Sequence, residues 1–203
     1  MKDIIIIGNG KIGNAILNLL NKYDFNTSIH AVREIEETLD IQNKVVILTC
    51  KKNKLYDLSL KVTGEAKFLV STLYNSHLLD IKQFFEAKNF ALCIPNIGLL
   101  KNQSTNICYL ENKNNENINF LTYLGKTIFC DNEDRVFQKS LTTAVFPALL
   151  AKLSMSFDEE LLQDSIDTYL NMLEDMTNQE IIDFIATPQG ITEQLIKEIP
   201  NFR

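Results

Sequence analysis

Cysteine is scarce in this chain of 203 residues, and what there is does not cluster. Cys50, Cys93, Cys108 and Cys130 lie far apart with no C-x-x-C spacing, so a zinc site is not expected. Each stands in or at the end of an apolar run and reads as a small buried hydrophobe. The carboxylates are equally dispersed, with no paired cluster to ligate a cation, and no metal is predicted. Long apolar runs are missing too. The run Ile4 to Ile7 is far too short for a membrane span or for the apolar region of a secretory signal. A cytoplasmic, reducing setting is the expectation. Excess positive charge is absent: a net charge of −6 disfavours nucleic-acid backbones and anionic membrane surfaces as general partners. It leaves room for a local basic pocket. There is no internal repeat and no low-complexity tail.

What the chain does have is an ordinary globular balance, 45% hydrophobic and 23% charged, at a length that buries its own core. Ile4 to Ile7 is β-branched throughout, which predicts a strand buried on both faces of a parallel sheet. Further strands are predicted at Thr27 to Val32, Val45 to Thr49, Phe68 to Ser71, Phe90 to Ile94, Thr105 to Leu110 and Thr127 to Cys130. Leu55, Leu58 and Val62 are expected to share one helix face, and Leu78, Ile81, Phe84 and Phe85 another. Strands alternating with helices define an α/β unit with right-handed crossovers. The segment Arg33 to Lys44 is too short for a full helix plus a strand, and reads as a short helix or loop. The polar run Glu111 to Asn119 reads as a loop leading into a helix. From Glu133 the pattern is purely helical, with helices expected over 133–155, 158–176, 179–186 and 190–199 and a disturbance at Pro147. The predicted architecture is a Rossmann-type parallel sheet, residues 1–131, followed by a smaller all-helical domain, residues 132–203.

The strongest motif follows the first strand. Gly8-Asn9-Gly10-Lys11-Ile12-Gly13 matches G-x-G-x-x-G between a buried strand and an amphipathic helix, the context that gives the pattern meaning. Gly8 permits the turn, Gly10 lets the backbone approach a pyrophosphate, and Gly13 lets the helix pack on the strand. The helix start then offers unpaired N–H groups and a positive dipole end to the anion. At the end of the second strand the order is His30-Ala31-Val32-Arg33-Glu34. Arg33 stands where a 2′-phosphate would lie, so NADP is expected, with NAD left open by the adjacent Glu34. His30 reads as a packed strand residue and His77 as part of a helix-capping region.

Several further stretches, taken in order, resemble the pyrroline-5-carboxylate reductase family. Val45 to Lys52 is similar to that family's V-V-I-L-A-V-K-P, and Ala91 to Gly98, with Pro95-Asn96, to its R-V-M-P-N-T-P-A. Leu124-Gly125-Lys126 falls at its G-K turn, Phe146-Pro147-Ala148 at the end of its S-G-S-G-P-A-Y, and Thr187 to Thr192 at its S-P-G-G-T-T. The resemblance implies reduction of the C=N bond of a small cyclic imine in proline biosynthesis, and a homodimer formed by the helical domain. It implies a cofactor held by the glycine loop, Arg33, Cys50, Lys51 and Asn96. Substrate-side hydroxyls would come from Ser140, Thr142 and Thr192. The chain departs from the family in the substrate cradle. Ala144, Val145 and Phe146 replace its small and hydroxyl residues, Leu149 its aromatic, and Gln189 and Ile191 a glycine and a threonine. Two readings stand: an NAD(P)H-dependent reductase with a reshaped pocket, or a non-catalytic dinucleotide-binding or regulatory protein that has lost the cradle.

Overall fold

All four residues of the run Ile4 to Ile7 are buried, because the strand they form has apolar packing on both faces. The computed structural model describes residues 3–74, 76–101, 103–141 and 143, together with 175, 177, 179 and 180. The chain divides into two compact units, Met1–Lys152 and Leu153–Arg203.

The first unit is built on β1 (Asp3–Ile7), β2 (Asn26–His30), β3 (Leu39–Asp40), β4 (Val45–Leu48), β5 (Val62–Thr63), β6 (Phe68–Ser71), β7 (Phe90–Pro95), β8 (Thr105–Leu110) and β9 (Lys126–Phe129). Its helices are α1 (Lys11–Leu20), α2 (Leu55–Ser59), α3 (Leu78–Lys82) and α4 (Asn115–Thr122), and a further helix starts at Glu133. Seven of the strands make one sheet in the order β2-β1-β4-β6-β7-β8-β9, and β3 pairs with β5 apart from it. The sheet is parallel from β2 to β7. This is the Rossmann-type α/β architecture that the alternating pattern predicts.

Period-2 alternation divides the core between the two faces. Ile4 and Ile6, with Val45, Ile47, Phe68 and Val70, meet Ile16, Leu19 and Leu20 of α1 and Phe120 and Leu121 of α4. Ile5 and Ile7, with Val46, Leu48 and Leu69, meet Leu55 and Leu58 of α2, Leu78 and Ile81 of α3, and Val136 and Phe137 of the helix from Glu133. Burial on both faces explains why the central strands are apolar apart from Asp3 at the start of β1 and Ser71 at the end of β6.

Two expectations need correction. Val62 does not continue the α2 face. The helix ends at Ser59, and Val62 pairs with Leu39 in the small sheet. The β-branched pair Val62-Thr63 favours a strand, and Gly64 at φ +91 turns the chain straight after it. The sheet is also not parallel throughout, because β8 runs antiparallel to β7, with Cys93 opposite Cys108. Between β7 and β8 the described residues carry only a 3-10 turn, Ile97–Lys101, and the link is too short for a parallel crossover. β9 is again parallel to β8. The segment after β2 is a 3-10 turn, Val32–Glu34, followed by β3, in line with the short-helix-or-loop expectation.

In the second unit, Thr177 and Glu180 form a reciprocal cap. The backbone N–H of Thr177 donates to Glu180 Oε2 at 2.7 Å, and that of Glu180 donates to Thr177 Oγ1 at 3.3 Å. Among the described residues no helix is long and apolar enough to cross a membrane.

Candidate functional site

Strand order locates the site. The chain leaves β1 for β2 on one side and then returns to β4 on the other. That reversal opens a crevice at the carboxyl ends of the strands, where ligands bind in open α/β sheets. A cleft of about 670 Å³ lies there. Gly8, Asn9 and Gly10 line it after β1, Ala31, Val32 and Arg33 after β2, and Thr49, Cys50 and Lys51 after β4.

The three glycines stand in three different surroundings. Gly8 has φ +123, and a Cβ there would come within 2.7 Å of the Cys50 backbone nitrogen. A Cβ on Gly13 would lie 1.9 Å from the carbonyl oxygen of Gly8, so only hydrogen fits between helix and loop. Gly10 is different: nothing stands within 4 Å of where its Cβ would be. The structure places no protein atom there, and the loop backbone borders open cleft. The residues present therefore suit a diphosphate approaching bare backbone at the start of α1. Gly10 is the N-cap of that helix, no side chain caps it, and its first N–H groups have no side-chain acceptor.

The loop is held from outside. Thr49 Oγ1 donates to the carbonyl oxygen of Gly8 at 2.7 Å, and the N–H of Gly8 donates to the carbonyl of His30 at 2.8 Å. Asn14 Nδ2 donates to the carbonyls of Asn9, at 2.5 Å, and Gly10, at 3.0 Å. Thr49 stands where the resembling motif has alanine, so nothing in that motif marks it. Its signal in the sequence is a lone hydroxyl ending an all-apolar strand.

Six of the sequence-predicted cofactor residues meet at the cleft: Gly8, Asn9, Gly10, Arg33, Cys50 and Lys51. Lys11 and Ile12 open α1 with exposed side chains, and Gly13 is buried beneath the loop. Arg33 is exposed, 3.4 Å from Glu34. Burial pushes the Cys50 thiol up to about 11, so it lines the cleft as a neutral group. Lys52, next to Lys51, is turned to Asp80 of α3 at 2.8 Å, and that hydrogen bond lowers the Asp80 carboxyl.

Asn96 is not among the cleft residues. Its Oδ1 accepts from the backbone N–H groups of Gly98, at 3.0 Å, and Thr105, at 3.1 Å, so it pins the turn between β7 and β8. His30 ends β2 with Nε2 3.1 Å from Ser28 Oγ. His77 is the N-cap of α3 but makes no side-chain cap bond. Glu133 supplies it instead, accepting from the N–H of Leu78 at 2.6 Å with His77 Nδ1 at 3.4 Å.

Of the expected substrate-side hydroxyls, Thr142 and Thr192 lie outside the described residues. Ser140 is 3% exposed on the helix from Glu133, and its Oγ has no hydrogen-bond partner among the described residues. Among the described residues no group of His, Cys, Asp and Glu could hold a metal ion. Sequence reading did not single out Lys54, Asp57, Leu60 and Lys61, which complete the cleft wall.

No family model and no curated protein matches the sequence. Solved structures do. Pyrroline-5-carboxylate reductase from Streptococcus pyogenes is 18% identical, with a TM-score of 0.58 over 97% of this chain and 89% of its own. The Plasmodium falciparum pyrroline carboxylate reductase with NADP bound is 13% identical, with a TM-score of 0.55 over 97% of this chain and 88% of its own. A reductive aminase from Aspergillus terreus, in complex with NADPH and ethyl levulinate, is 11% identical, with a TM-score of 0.63 over 94% of this chain and 80% of its own. At these identities the likeness is one of fold.

Proposed function

We propose that this chain is an NADP(H)-dependent reductase of a small cyclic imine, similar to pyrroline-5-carboxylate reductases. The observation that carries the proposal is the glycine loop. Gly8 and Gly13 leave no room for a side chain, whereas Gly10 faces open cleft at the start of α1. Such a notch suits a diphosphate. The fold neighbours that bind NADP or NADPH support the choice of cofactor, as does Arg33 at the cleft.

When bound, the cofactor supplies a hydride. The chain's own residues hold and screen it. The loop N–H groups and the start of α1 bind the diphosphate, while Thr49 and Asn14 fix the loop so that binding reorganises little. Cys50 offers a neutral, apolar surface, and Lys51 sits at the strand end that the resemblance places beside the nicotinamide. Ser140, Thr142 and Thr192 are the hydroxyls proposed to orient the imine and its proton. The same proposal includes the division at residues 131 and 132 and a homodimer formed by the helical part. One observation favours a second reading, a dinucleotide-binding protein without catalysis: Val145 and Phe146 stand where the resembling motif has small and hydroxyl residues.

The test is NADPH consumption with 1-pyrroline-5-carboxylate and a panel of cyclic imines. Turnover on any of them supports the reductase. Saturable NADPH binding with no turnover across the panel supports the second reading.

A further inference from the structure

The cleft concentrates positive charge in a chain that is otherwise acidic. The net charge is −6, yet Arg33, Lys51, Lys54 and Lys61 line the cleft against one carboxylate, Asp57. Lys54 pairs with Asp57 at 3.1 Å. Arg33 has exposed Glu34 at 3.4 Å, and Lys51 and Lys61 add two further positive charges to the same cleft, a surplus that favours entry of an anion.

Two of these cations come from an unexpected place. Between β2 and β4 there is no α-helix, only the turn Val32–Glu34 and the two-residue β3. The wall that a helix there would supply is provided by α2 and its exit. Lys54 precedes α2, Asp57 lies in it, and Leu60 and Lys61 leave it. Lys61 is fixed at two points. Its carbonyl accepts from the N–H of Leu39 at 2.8 Å, and its Nζ donates to the carbonyl of Ile35 at 2.8 Å. The ammonium is thereby held against the segment that carries Arg33. An ammonium has three donors, so one bond to Ile35 leaves two for an anion. Leu60 beside it is 69% exposed, an uncovered apolar side chain on the cleft wall.

We propose that the exit of α2 is the adenosine wall of this site: Lys61 joins Arg33 on the ribose 2′-phosphate, and Leu60 covers the adenine. This rests on the dinucleotide reading given above. A dianionic phosphate between a guanidinium and an ordered ammonium gains charge-assisted hydrogen bonds from both. A nucleotide without that phosphate makes neither contact, so discrimination between NADPH and NADH depends on Lys61 as well as Arg33. The adenine is common to both nucleotides, so Leu60 contributes equally to each.

The experiment is a titration of the full chain with NADPH, NADH and 2′,5′-ADP, for the wild type, Lys61→Met, Lys61→Arg and Leu60→Gly. Lys61→Met weakens NADPH and 2′,5′-ADP by about tenfold and NADH by less than about twofold, the size of one lost charge-assisted contact. Unchanged NADH affinity also reports that the variant is folded. Lys61→Arg keeps most of the NADPH affinity, and Leu60→Gly weakens all three probes alike. Equal loss of NADPH and NADH in Lys61→Met assigns Lys61 to holding the loop and overturns the clamp. No loss overturns it too. If the wild type binds none of the three probes, the dinucleotide reading falls together with the clamp. If the wild type binds and Lys61→Met changes nothing, the clamp alone falls.

Discussion

The hydroxyl of Thr49 donates to the carbonyl oxygen of Gly8 at 2.7 Å, joining the end of β4 to the glycine loop across 41 positions of sequence. Thr49 Oγ1 also lies 2.8 Å from where a Cβ of Gly13 would be, so Thr49 packs under the loop as well as bonding to it. Thr49→Val keeps the shape and removes the donor. A hydrogen bond of this kind contributes about 1 kcal/mol net, and the folded state should lose about that much. The loop also becomes less preorganised, so NADPH binding should weaken several-fold. Thermal unfolding and a nucleotide titration check both halves. A variant that melts and binds like the parent would mean that glycine geometry alone holds the loop.

Gly10→Val and Gly13→Ala should fail in opposite ways. Gly10 has an ordinary φ of −74 and open space where a side chain would go, so valine there leaves the fold intact. It fills the place proposed for the diphosphate, and nucleotide affinity should drop by more than about tenfold with little change in melting temperature. A Cβ on Gly13 meets the Gly8 carbonyl at 1.9 Å. Overpacking of that kind costs about 1–3 kcal/mol, so Gly13→Ala should melt earlier whether or not nucleotide is present. Equal destabilisation by both variants would remove the distinction between the cleft-facing and the packed glycine.

The contrast between these glycines also marks what a sequence can convey. Local periodicity identified every strand of the main sheet, because buried strands must be apolar on both faces and Ile4 to Ile7 or Val45 to Leu48 can be little else. The glycine loop was legible for the same reason: Gly8, Gly10 and Gly13 have spacing with a geometric purpose, which the packed Gly8 and Gly13 and the open Gly10 display. Direction was not legible in Thr105–Leu110, since an apolar run reads the same either way. The short link from Pro95 to Thr105 was the available clue, as it cannot hold a parallel crossover. Asn96 was expected at the cofactor because it follows a proline at a strand end. Its amide oxygen instead accepts from Gly98 and Thr105, a partnership visible only once β8 turns back. Lys54 and Lys61 were unreadable as site residues. They line the cleft from the start and the exit of α2, on the side where no helix stands between β2 and β4, a consequence of tertiary arrangement.

Arg33→Ala should separate the two nucleotides. The side chain is 85% exposed, and its neighbour Glu34, at 3.4 Å, is 60% exposed, so the pair itself adds little to stability. Melting should be unchanged. NADPH affinity should fall by about tenfold and NADH affinity hardly at all, because only the former carries the phosphate that a guanidinium answers. The NADPH loss should shrink as salt rises, since an exposed contact of this kind is screened over about 10 Å at moderate ionic strength. Equal loss of both nucleotides would assign Arg33 to the adenine or the loop and remove the basis for NADP preference.

Cys50 gives the site a pH signature of known sign. Burial raises its thiol from 9.0 to about 11. An unfolded chain releases that proton near the ordinary value, while the folded chain keeps it. Below about pH 9 both states hold the proton, and the contribution to stability is fully present. As pH rises from there to about 11, the unfolded state ionises first and the contribution is lost. Cys108 and Cys130 are also raised by burial, so the alkaline decline has more than one source. Replacing one thiol isolates its share: Cys50→Ala should be less stable than the parent at neutral pH, with a flatter decline above about pH 9. The thiol should also resist alkylation at neutral pH, since the thiolate is the reactive form. Denaturant midpoints across the alkaline range and the rate of iodoacetamide labelling read the two consequences independently. Parallel stability curves for parent and variant, or rapid labelling of Cys50 at neutral pH, would show that the cleft beside it is more polar than its burial implies.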